Sequence, residues 1–318
     1  MAWMRDRLDR MTKPQDPERL VERPTGLWKG AFQRLLRRKT GVVGLSIIGF
    51  MVLVALAAPV LAPYDPNKVL IGQEENIKRR DPPCVHILGC EAEKPQHVLG
   101  LDGNARDQFS RIIYGSRVSL SVGFTTVLVA FTIGASLGAI AGFWGGWLDN
   151  VIMRVMDVVL GFPALLLAIA IVAALGPGLR NTLLAIAIVS IPAYARVMRA
   201  SVLSIKELDF VAASRALGAS SIRILWTRVI PNSLTPLVVI ATLGIATAIL
   251  DAAAFGFLGL GAQEPTAEWG AMLARERNQV FSAPHLVFFP GLAIMITVLG
   301  FNLLGDGMRD ALDPSLAE

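Results

Sequence analysis

The chain has few of the groups from which active sites are built. Its 318 residues include two cysteines and three histidines, and they contain no Gly-x-x-x-x-Gly-Lys-[Ser/Thr] loop that would cradle nucleotide phosphates. The long apolar stretches hold almost no ionisable side chains, and Asp251, near the outer end of the fifth stretch, is the main exception. An intramembrane enzyme would need paired carboxylates, a metal site or a nucleophile with its base inside those stretches. We therefore predict a chain without catalytic residues and without a cofactor of its own.

The scarcity of charged residues in the apolar stretches also argues against a transporter that works without an ATPase. A carboxylate at mid-membrane costs about 2.5–3.5 kcal/mol on insertion scales, and proton-driven transporters use such groups as relays. Asp251 by itself makes a poor relay. A secondary transporter or a channel is therefore the distant alternative for this sequence.

What the sequence has in abundance is apolar side chains. The hydrophobic content is 53% and the mean hydropathy is +0.54, values typical of an integral membrane protein. The net charge of +5 is concentrated in residues 1–40, which carry eleven Lys or Arg against five Asp or Glu. Because this excess directly precedes the first apolar run, the positive-inside rule places the N-terminus in the cytoplasm. The charge therefore indicates membrane topology and not a nucleic-acid partner.

The first forty residues divide into two parts. Residues 1–26 have no periodic apolar face and no signal-peptide core, so we expect a flexible cytoplasmic tail. Residues 27–40 are predicted to form an amphipathic helix in the membrane interface. Its apolar stripe comprises Leu27, Trp28, Ala31, Phe32, Leu35 and Leu36.

Six apolar stretches follow, each close to the ~20 residues that cross a bilayer. They lie near 41–62, 118–142, 158–176, 179–200, 233–258 and 286–305. The third and fourth are joined by a Gly-Pro-Gly turn at 176–178, which predicts a helical hairpin. Within residues 41–318 we therefore predict an all-α membrane domain that starts and ends in the cytoplasm, with 63–117 and 259–285 outside.

Smaller patterns predict contacts within this domain. Gly134, Gly138 and Gly142 recur at every fourth position, which would allow another helix backbone to approach closely. Arg154 and Asp157 are three residues apart on a helix and could form a pair at the interface.

The cytoplasmic segment 204–232 contains two short helical patterns. In the first, Asp209 is a plausible N-cap, Phe210, Ala213 and Leu217 share one face, and Gly218 can adopt the left-handed turn that ends a helix. In the second, Ser220 or Ser221 is a plausible cap. Its predicted apolar face comprises Ile222, Leu225, Trp226 and Val229, and Pro231 is expected to stop the run. Such short helices are marginal alone, so we expect the segment to dock into a groove on another protein.

The outer loop of residues 63–117 contains both cysteines. Their closeness in sequence and their position on the oxidising side favour a disulfide between Cys84 and Cys90. Two alternatives remain open. Cys84 and Cys90 could hold zinc together with His86 and His97, or both thiols could be free.

Residues 212–218 (Ala-Ala-Ser-Arg-Ala-Leu-Gly), followed after nine residues by Arg-Val-Ile-Pro at 228–231, resemble the EAA loop of importer-type ABC transporter permeases. The spacing of that motif is kept, but Ala212 stands where the motif has Glu. In the family this segment is the coupling helix that sits in a cleft of the cytoplasmic ATPase. The resemblance, with the helical pattern, assigns ATPase coupling to Asp209, Phe210, Ala212, Ala213, Ser214, Arg215, Leu217, Gly218 and Pro231.

Residues 97–107 and 110–120 closely resemble the start of the second crossing in the C-type subunit of the dipeptide/oligopeptide/nickel permease family. Residues 257–261, 268–270, 289–294 and 301–314 follow the same family's C-terminal pattern. The charged members of the first stretch indicate an electrostatic network that holds the outer loop at the membrane surface. This predicted network comprises His97, Asp102, Arg106, Asp107 and Arg111.

The resemblance implies the six-helix fold of type I ABC importer permeases in a bacterial inner membrane. It also implies several partners: a homologous second permease, an extracytoplasmic substrate-binding protein and two cytoplasmic ATPases that bind ATP and Mg. Di- or oligopeptides are the expected substrates. Nickel complexes, glutathione or another small solute are the alternatives.

Overall fold

The computed structural model describes residues 27–91 and 93–312, and the regular elements of these residues are helices. The predicted tail of residues 1–26 lies outside the described residues. Helix α1 (Leu27–Arg37) precedes α2 (Lys39–Leu56) and the short α3 (Ala58–Leu61). On α1, Leu35 is buried whereas Phe32 and Leu36 are exposed, and the Arg34 side chain donates a 2.7 Å hydrogen bond to the carbonyl oxygen of Ala311. Helix α1 therefore lies beside the last turn of α12 (His285–Leu312).

The remaining helices are α4 (Gln108–Trp144), α5 (Gly146–Leu160), α6 (Ala164–Leu175), α7 (Leu179–Ile205), α8 (Asp209–Ala216), α9 (Ser221–Ile224), α10 (Ile230–Phe257), α11 (Trp269–Glu276) and α12 (His285–Leu312). Five spans among the described residues are long and apolar enough to cross a membrane, and the bent pair α5–α6 makes up to six.

The third predicted crossing has a different form from the one expected. Instead of one helix over 158–176, α5 and α6 meet at an angle of 90°. The break falls at 161–163, where Pro163 disfavours the helical conformation of the residue before it. Helix α6 alone is only 12 residues long, about 18 Å. It is therefore shorter than the hydrocarbon core of about 30 Å.

The longest helix, α4, packs along α7 through its glycine stripe. A Cβ atom at Gly134 would lie 2.7 Å from the carbonyl oxygen of Ile191, and one at Gly142 would lie 2.9 Å from that of Arg199. A Cβ at Gly138 would collide with the Ala195 carbonyl. The stripe therefore brings two helix backbones into direct contact, as small residues do in membranes.

Ion pairs fix α5 against the C-terminal half of α7. Arg199 makes two hydrogen bonds to the Asp149 carboxylate at 2.5 and 2.6 Å, and Arg196 makes one to Asp157 at 2.6 Å. The predicted pairing of Asp157 with Arg154 is therefore wrong. The long-range partner on α7 competes successfully because α5 lies across α7 at this point.

Candidate functional site

Segment 204–232 is held to the bundle by buried apolar side chains. Val211 of α8 and Ile224 of α9 are buried, as are Leu225 and Val229 in the π-helical turn that connects α9 to α10. These residues share one core cluster with Met198 and Val202 of α7 and with Ala135 and Ala139 of α4. The segment is therefore attached directly to the two helices that make the glycine contact.

The opposite side of the same segment is exposed and apolar. We call this the inner apolar surface: Phe210, Ala213, Leu217, Ile222 and Trp226. Leu217 is 88% exposed, Trp226 65% and Ile222 63%. Large exposed apolar side chains grouped on one segment are typical of binding surfaces. The predicted face of Phe210, Ala213 and Leu217 thus points away from the bundle, and Ile222 and Trp226 extend it.

The second predicted helix of this segment requires two corrections. Leu225 and Val229 do not share a face with Ile222 and Trp226, because the π-helical turn rotates them into the core. Pro231 does not stop the helix, since it occupies the first turn of α10, where its missing N–H is not needed. The prediction of a serine cap is confirmed: Ser220 is the cap, and its Oγ accepts a hydrogen bond from the Arg223 backbone N–H.

The two ends of α8 are formed in different ways. Leu208 is the N-cap and makes no side-chain capping bond, so the predicted capping role of Asp209 is wrong. Asp209 lies in the first turn, where a carboxylate interacts favourably with the helix dipole. Gly218 follows the C-cap Leu217 with φ of 80°, the left-handed conformation expected there. Ser214 donates to the Phe210 carbonyl, and Ala212 and Arg215 are exposed.

The outer end contains the opposite arrangement, a set of buried charges. The structure brings together Asp102, Arg106 and Arg111, all at most 5% exposed: the Arg106 side chain bonds to Asp102 at 2.7 Å, and Arg111 Nε lies 3.5 Å from it. Asp102 also accepts the Arg106 backbone N–H. Nη1 of Arg111 donates a hydrogen bond to the Pro66 carbonyl at 2.7 Å. The loop is thereby tied to the first turn of α4.

Residues from far along the chain complete this outer charge network. Glu264 accepts a hydrogen bond from Arg106 at 3.2 Å and forms an ion pair with Arg275 at 2.7 Å. Glu276 accepts from Arg80 at 2.8 Å and from the Gly103 backbone N–H at 3.0 Å. The network therefore joins the loop before α4 to the loop between α10 and α12. Sequence reasoning missed these partners, and their only signal was the mixed charge of residues 264–277.

His97 and Asp107 form a second buried group beside the first. Asp107 caps α4 by accepting the Ser110 N–H at 2.7 Å, and its other oxygen lies 3.0 Å from Nδ1 of His97. Nε2 of His97 lies 3.1 Å from Glu74. Burial lowers the pKa of His97, but the hydrogen bonds and charges of Asp107 and Glu74 outweigh it and hold that pKa above its usual value. Burial, with Glu74 nearby, raises the pKa of Tyr64 to about 12.

A third contact fixes α11 against the membrane helices. The buried carboxylate of Glu268 accepts the backbone N–H groups of Gly270 and Ala271, each at 2.8 Å, and the Ser119 hydroxyl at 3.2 Å. The Trp269 indole donates to the Ile112 carbonyl at 3.0 Å. The Glu-Trp-Gly stretch thus docks α11 onto α4.

The structure joins Cys84 to Cys90 through their sulfur atoms, with Cα atoms 5.4 Å apart. The Cys84 backbone N–H donates to the His97 carbonyl at 2.8 Å. His97 itself faces Asp107 and Glu74, and His86 Nε2 lies 2.8 Å from the Lys94 carbonyl. The two histidines and two cysteines considered for zinc are therefore not gathered around one point.

The chain matches two family models. Residues 134–318 match the binding-protein-dependent transport system inner membrane component, and residues 26–83 match the N-terminal TM domain of oligopeptide transport permease C. In solved structures, the chain resembles a chain of the inward-facing MetNI methionine ABC transporter with a TM-score of 0.52. That match covers 64% of this chain and 96% of the other at 20% identity, so it shows the fold alone.

Curated relatives are similar over nearly their whole length. The dipeptide transport system permease protein DppC of Alkalihalophilus pseudofirmus is 48% identical over 91% of this chain and 90% of its own. The di/tripeptide transport system permease protein DppC of Pseudomonas aeruginosa is 46% identical over 91% and 92%. The glutathione transport system permease protein GsiD of Pectobacterium atrosepticum is 43% identical over 91% of each chain.

These matches confirm the predicted fold and the predicted family. The helical bundle is that of a type I ABC importer permease, a multi-pass component of the bacterial inner membrane. The chain belongs to the family of binding-protein-dependent transport system inner membrane components, within which it is a permease of the C type.

Proposed function

We propose that this chain forms half of the translocation pathway of an ATP-driven importer for short peptides, with dipeptides as the first substrate class. The observation that carries the proposal is the 48% identity, over nine-tenths of both chains, to a relative named as a dipeptide permease. A relative named for glutathione is 43% identical, so glutathione, itself a short peptide, is the second candidate substrate.

The inner apolar surface supports a role in coupling. A contact surface for an ATPase needs apolar groups that are free to be buried and a rigid connection to the membrane helices. Leu217 and Trp226 provide the first, and the buried Val211 and Val229 provide the second. In this mechanism, closure of the ATPases pushes on segment 205–230, which tilts α7 and α10 and opens the pathway to the opposite side.

The implied assembly contains a homologous second permease, two cytoplasmic ATPases that bind ATP and Mg, and an extracytoplasmic binding protein. The proposed orientation puts both termini and the inner apolar surface in the cytoplasm. It is supported by the basic N-terminal region and by the contact of α1 with the end of α12. Single cysteines at Ser221 and at Phe281, in a background without Cys84 and Cys90, test this orientation. An impermeant reagent added to intact cells should label position 281 and not 221, and the reverse pattern would invert the topology.

The substrate is tested in proteoliposomes that contain the whole complex. Uptake of labelled alanyl-alanine, glutathione and a nickel chelate is compared with and without ATP, each with the binding protein present. ATP-dependent uptake of the dipeptide supports the proposal. Uptake of the nickel chelate alone would reject it, and uptake of glutathione alone would replace dipeptides by the second candidate.

A further inference from the structure

One side of α10 carries a carboxylate toward an open face of the chain. Three exposed residues recur at helical spacing on this side: Thr247, Asp251 and Ala254. The residue that follows each of them is buried: Ala248, Ala252 and Phe255. Among the described residues, Asp251 has no hydrogen-bond or ion-pair partner. A lone carboxylate on a membrane helix is costly, and such groups mark substrate or ion pathways.

Asp251 lines a cavity of about 150 Å³ between α6, α7 and α10. The lining consists of Ala164, Leu165, Ala168, Ile186, Val189, Ser190, Asp251 and Phe255. Ser190 donates its hydroxyl hydrogen to the Ile186 carbonyl at 2.8 Å, which leaves its oxygen lone pairs as acceptors. The cavity therefore offers a carboxylate and a hydroxyl oxygen, both acceptors, within an apolar wall.

The two acceptors lie at a similar depth. The outer ends of α7 and α10 are tied together, because the Leu260 carbonyl accepts hydrogen bonds from the Gly178 N–H and the Thr182 hydroxyl, each at 3.0 Å. At a rise of 1.5 Å per residue, Ser190 lies about 12 Å along α7 from Thr182, and Asp251 lies about 9 Å along α10 from its last residue, Phe257. Both therefore lie within the outer half of a hydrocarbon core of about 30 Å.

We propose that Asp251, with Ser190, binds the protonated amino terminus of the transported peptide while it crosses the membrane. The proposal rests on the proposed peptide transport. An ammonium group has three donors and no acceptor, which complements a site that presents only acceptors. The apolar wall suits the first side chain of the peptide, since an apolar cavity of about this volume holds a benzene-sized group.

Transport by the reconstituted complex tests whether peptide uptake needs the negative charge of Asp251. Asp251→Asn keeps the shape and removes the charge, Asp251→Glu keeps the charge, and Thr247→Val changes the same open face outside the cavity. We expect the kcat/KM for alanyl-alanine uptake to fall at least tenfold in Asp251→Asn and to recover in Asp251→Glu. Thr247→Val should transport alanyl-alanine at the wild-type rate and keep the basal ATP hydrolysis of the wild type. Wild-type uptake by Asp251→Asn would overturn the inference while leaving peptide transport established. Absence of any peptide uptake by the wild type would overturn both.

Chemical modification tests whether Asp251 binds the peptide ammonium. This experiment does not need the binding protein. Dicyclohexylcarbodiimide should modify Asp251 in the nucleotide-free complex, as measured by peptide mass spectrometry. Alanyl-alanine should slow this reaction, and N-acetyl-alanyl-alanine, which lacks the ammonium, should not. Equal protection by both compounds would overturn the assignment of the ammonium. A carboxyl that is unreactive in the complex even without peptide would instead show that the partner permease occupies it.

Discussion

The two ends of this permease treat their side chains in opposite ways. At the outer end, Asp102, Arg106 and Glu276 are buried and pair with groups of the same chain. At the inner end, Leu217 and Trp226 are exposed among the described residues. Buried charges are stable only when they are paired, whereas exposed apolar side chains are stabilised when another surface covers them. The charges of the outer end are therefore satisfied by described residues of the chain, whereas the apolar side chains of the inner end are left open to a contact.

The largest effect should come from breaking the outer charge network. Asp102→Ala leaves Arg106 and Arg111 without their shared carboxylate, and loss of one partner of a buried pair costs about 3–5 kcal/mol. We expect early thermal unfolding and rapid proteolysis of the outer loop in purified protein. The control is Glu91→Ala, which removes an exposed pair with Lys94 and should cause no measurable change. Equal stability of both variants would contradict the view that the outer end depends on its own charges.

The next effect should appear in transport and not in stability. Ala213→Asp puts a charge on the inner apolar surface, where its burial against an ATPase costs on the order of 3 kcal/mol. Transport and substrate-stimulated ATP hydrolysis should therefore fall more than a hundredfold, with thermal stability of the isolated permease unchanged because Ala213 is exposed. Ser221→Asp serves as the control, because it adds the same charge at a helix N-terminus, where it is favourable. Wild-type transport by Ala213→Asp would remove the coupling assignment.

A smaller loss should follow from Gly218→Val. Gly218 has φ of 80° and open space around its Cα, so the effect is conformational and not steric. A non-glycine residue in this region costs about 1–3 kcal/mol, and a β-branched one is disfavoured most. Transport by the complex should fall, whereas Gly218→Asn should retain most of it because Asn tolerates the left-handed conformation. If both variants behave alike, the end of α8 does not position the inner apolar surface.

The smallest effect concerns pH at the outer end. His97 has a pKa above its usual 6.5, so its contribution to stability is complete below pH 6.5 and is lost as pH rises through the raised value. Its neighbours Asp107 and Glu74 supply the negative charge, and Tyr64, with a pKa of about 12, stays neutral over this range. The difference in thermal stability between wild type and His97→Gln should therefore be largest near pH 6 and shrink toward pH 9. If the difference in thermal stability between the two proteins does not change with pH, the contact of His97 with Asp107 and Glu74 does not depend on the charge of His97.

The sequence predicted some elements of each end well and others badly. The left-handed turn at Gly218, the Ser220 cap and the glycine stripe of α4 depend on neighbours close in sequence, and the structure contains all three. The roles given to Asp209 and Pro231 failed although they too are local. Leu208 serves as the N-cap of α8 without a side-chain bond, and the π-helical turn lets α9 run into α10 through the proline.

The sequence alone determined that the chain is an all-helical membrane protein, because the free energy of transferring an apolar stretch into lipid is a sum over neighbouring residues. It also determined the family, through motifs whose residues are contiguous. Only the tertiary structure decided that Glu264 and Glu276 complete the outer charge network, since they lie more than 150 residues from Arg106 and Arg80. It likewise decided that α5 and α6 meet at 90° and that Asp251 faces a cavity. Membrane helices are apolar on every side, so the sequence cannot tell which side faces protein, lipid or pathway until the helices have packed.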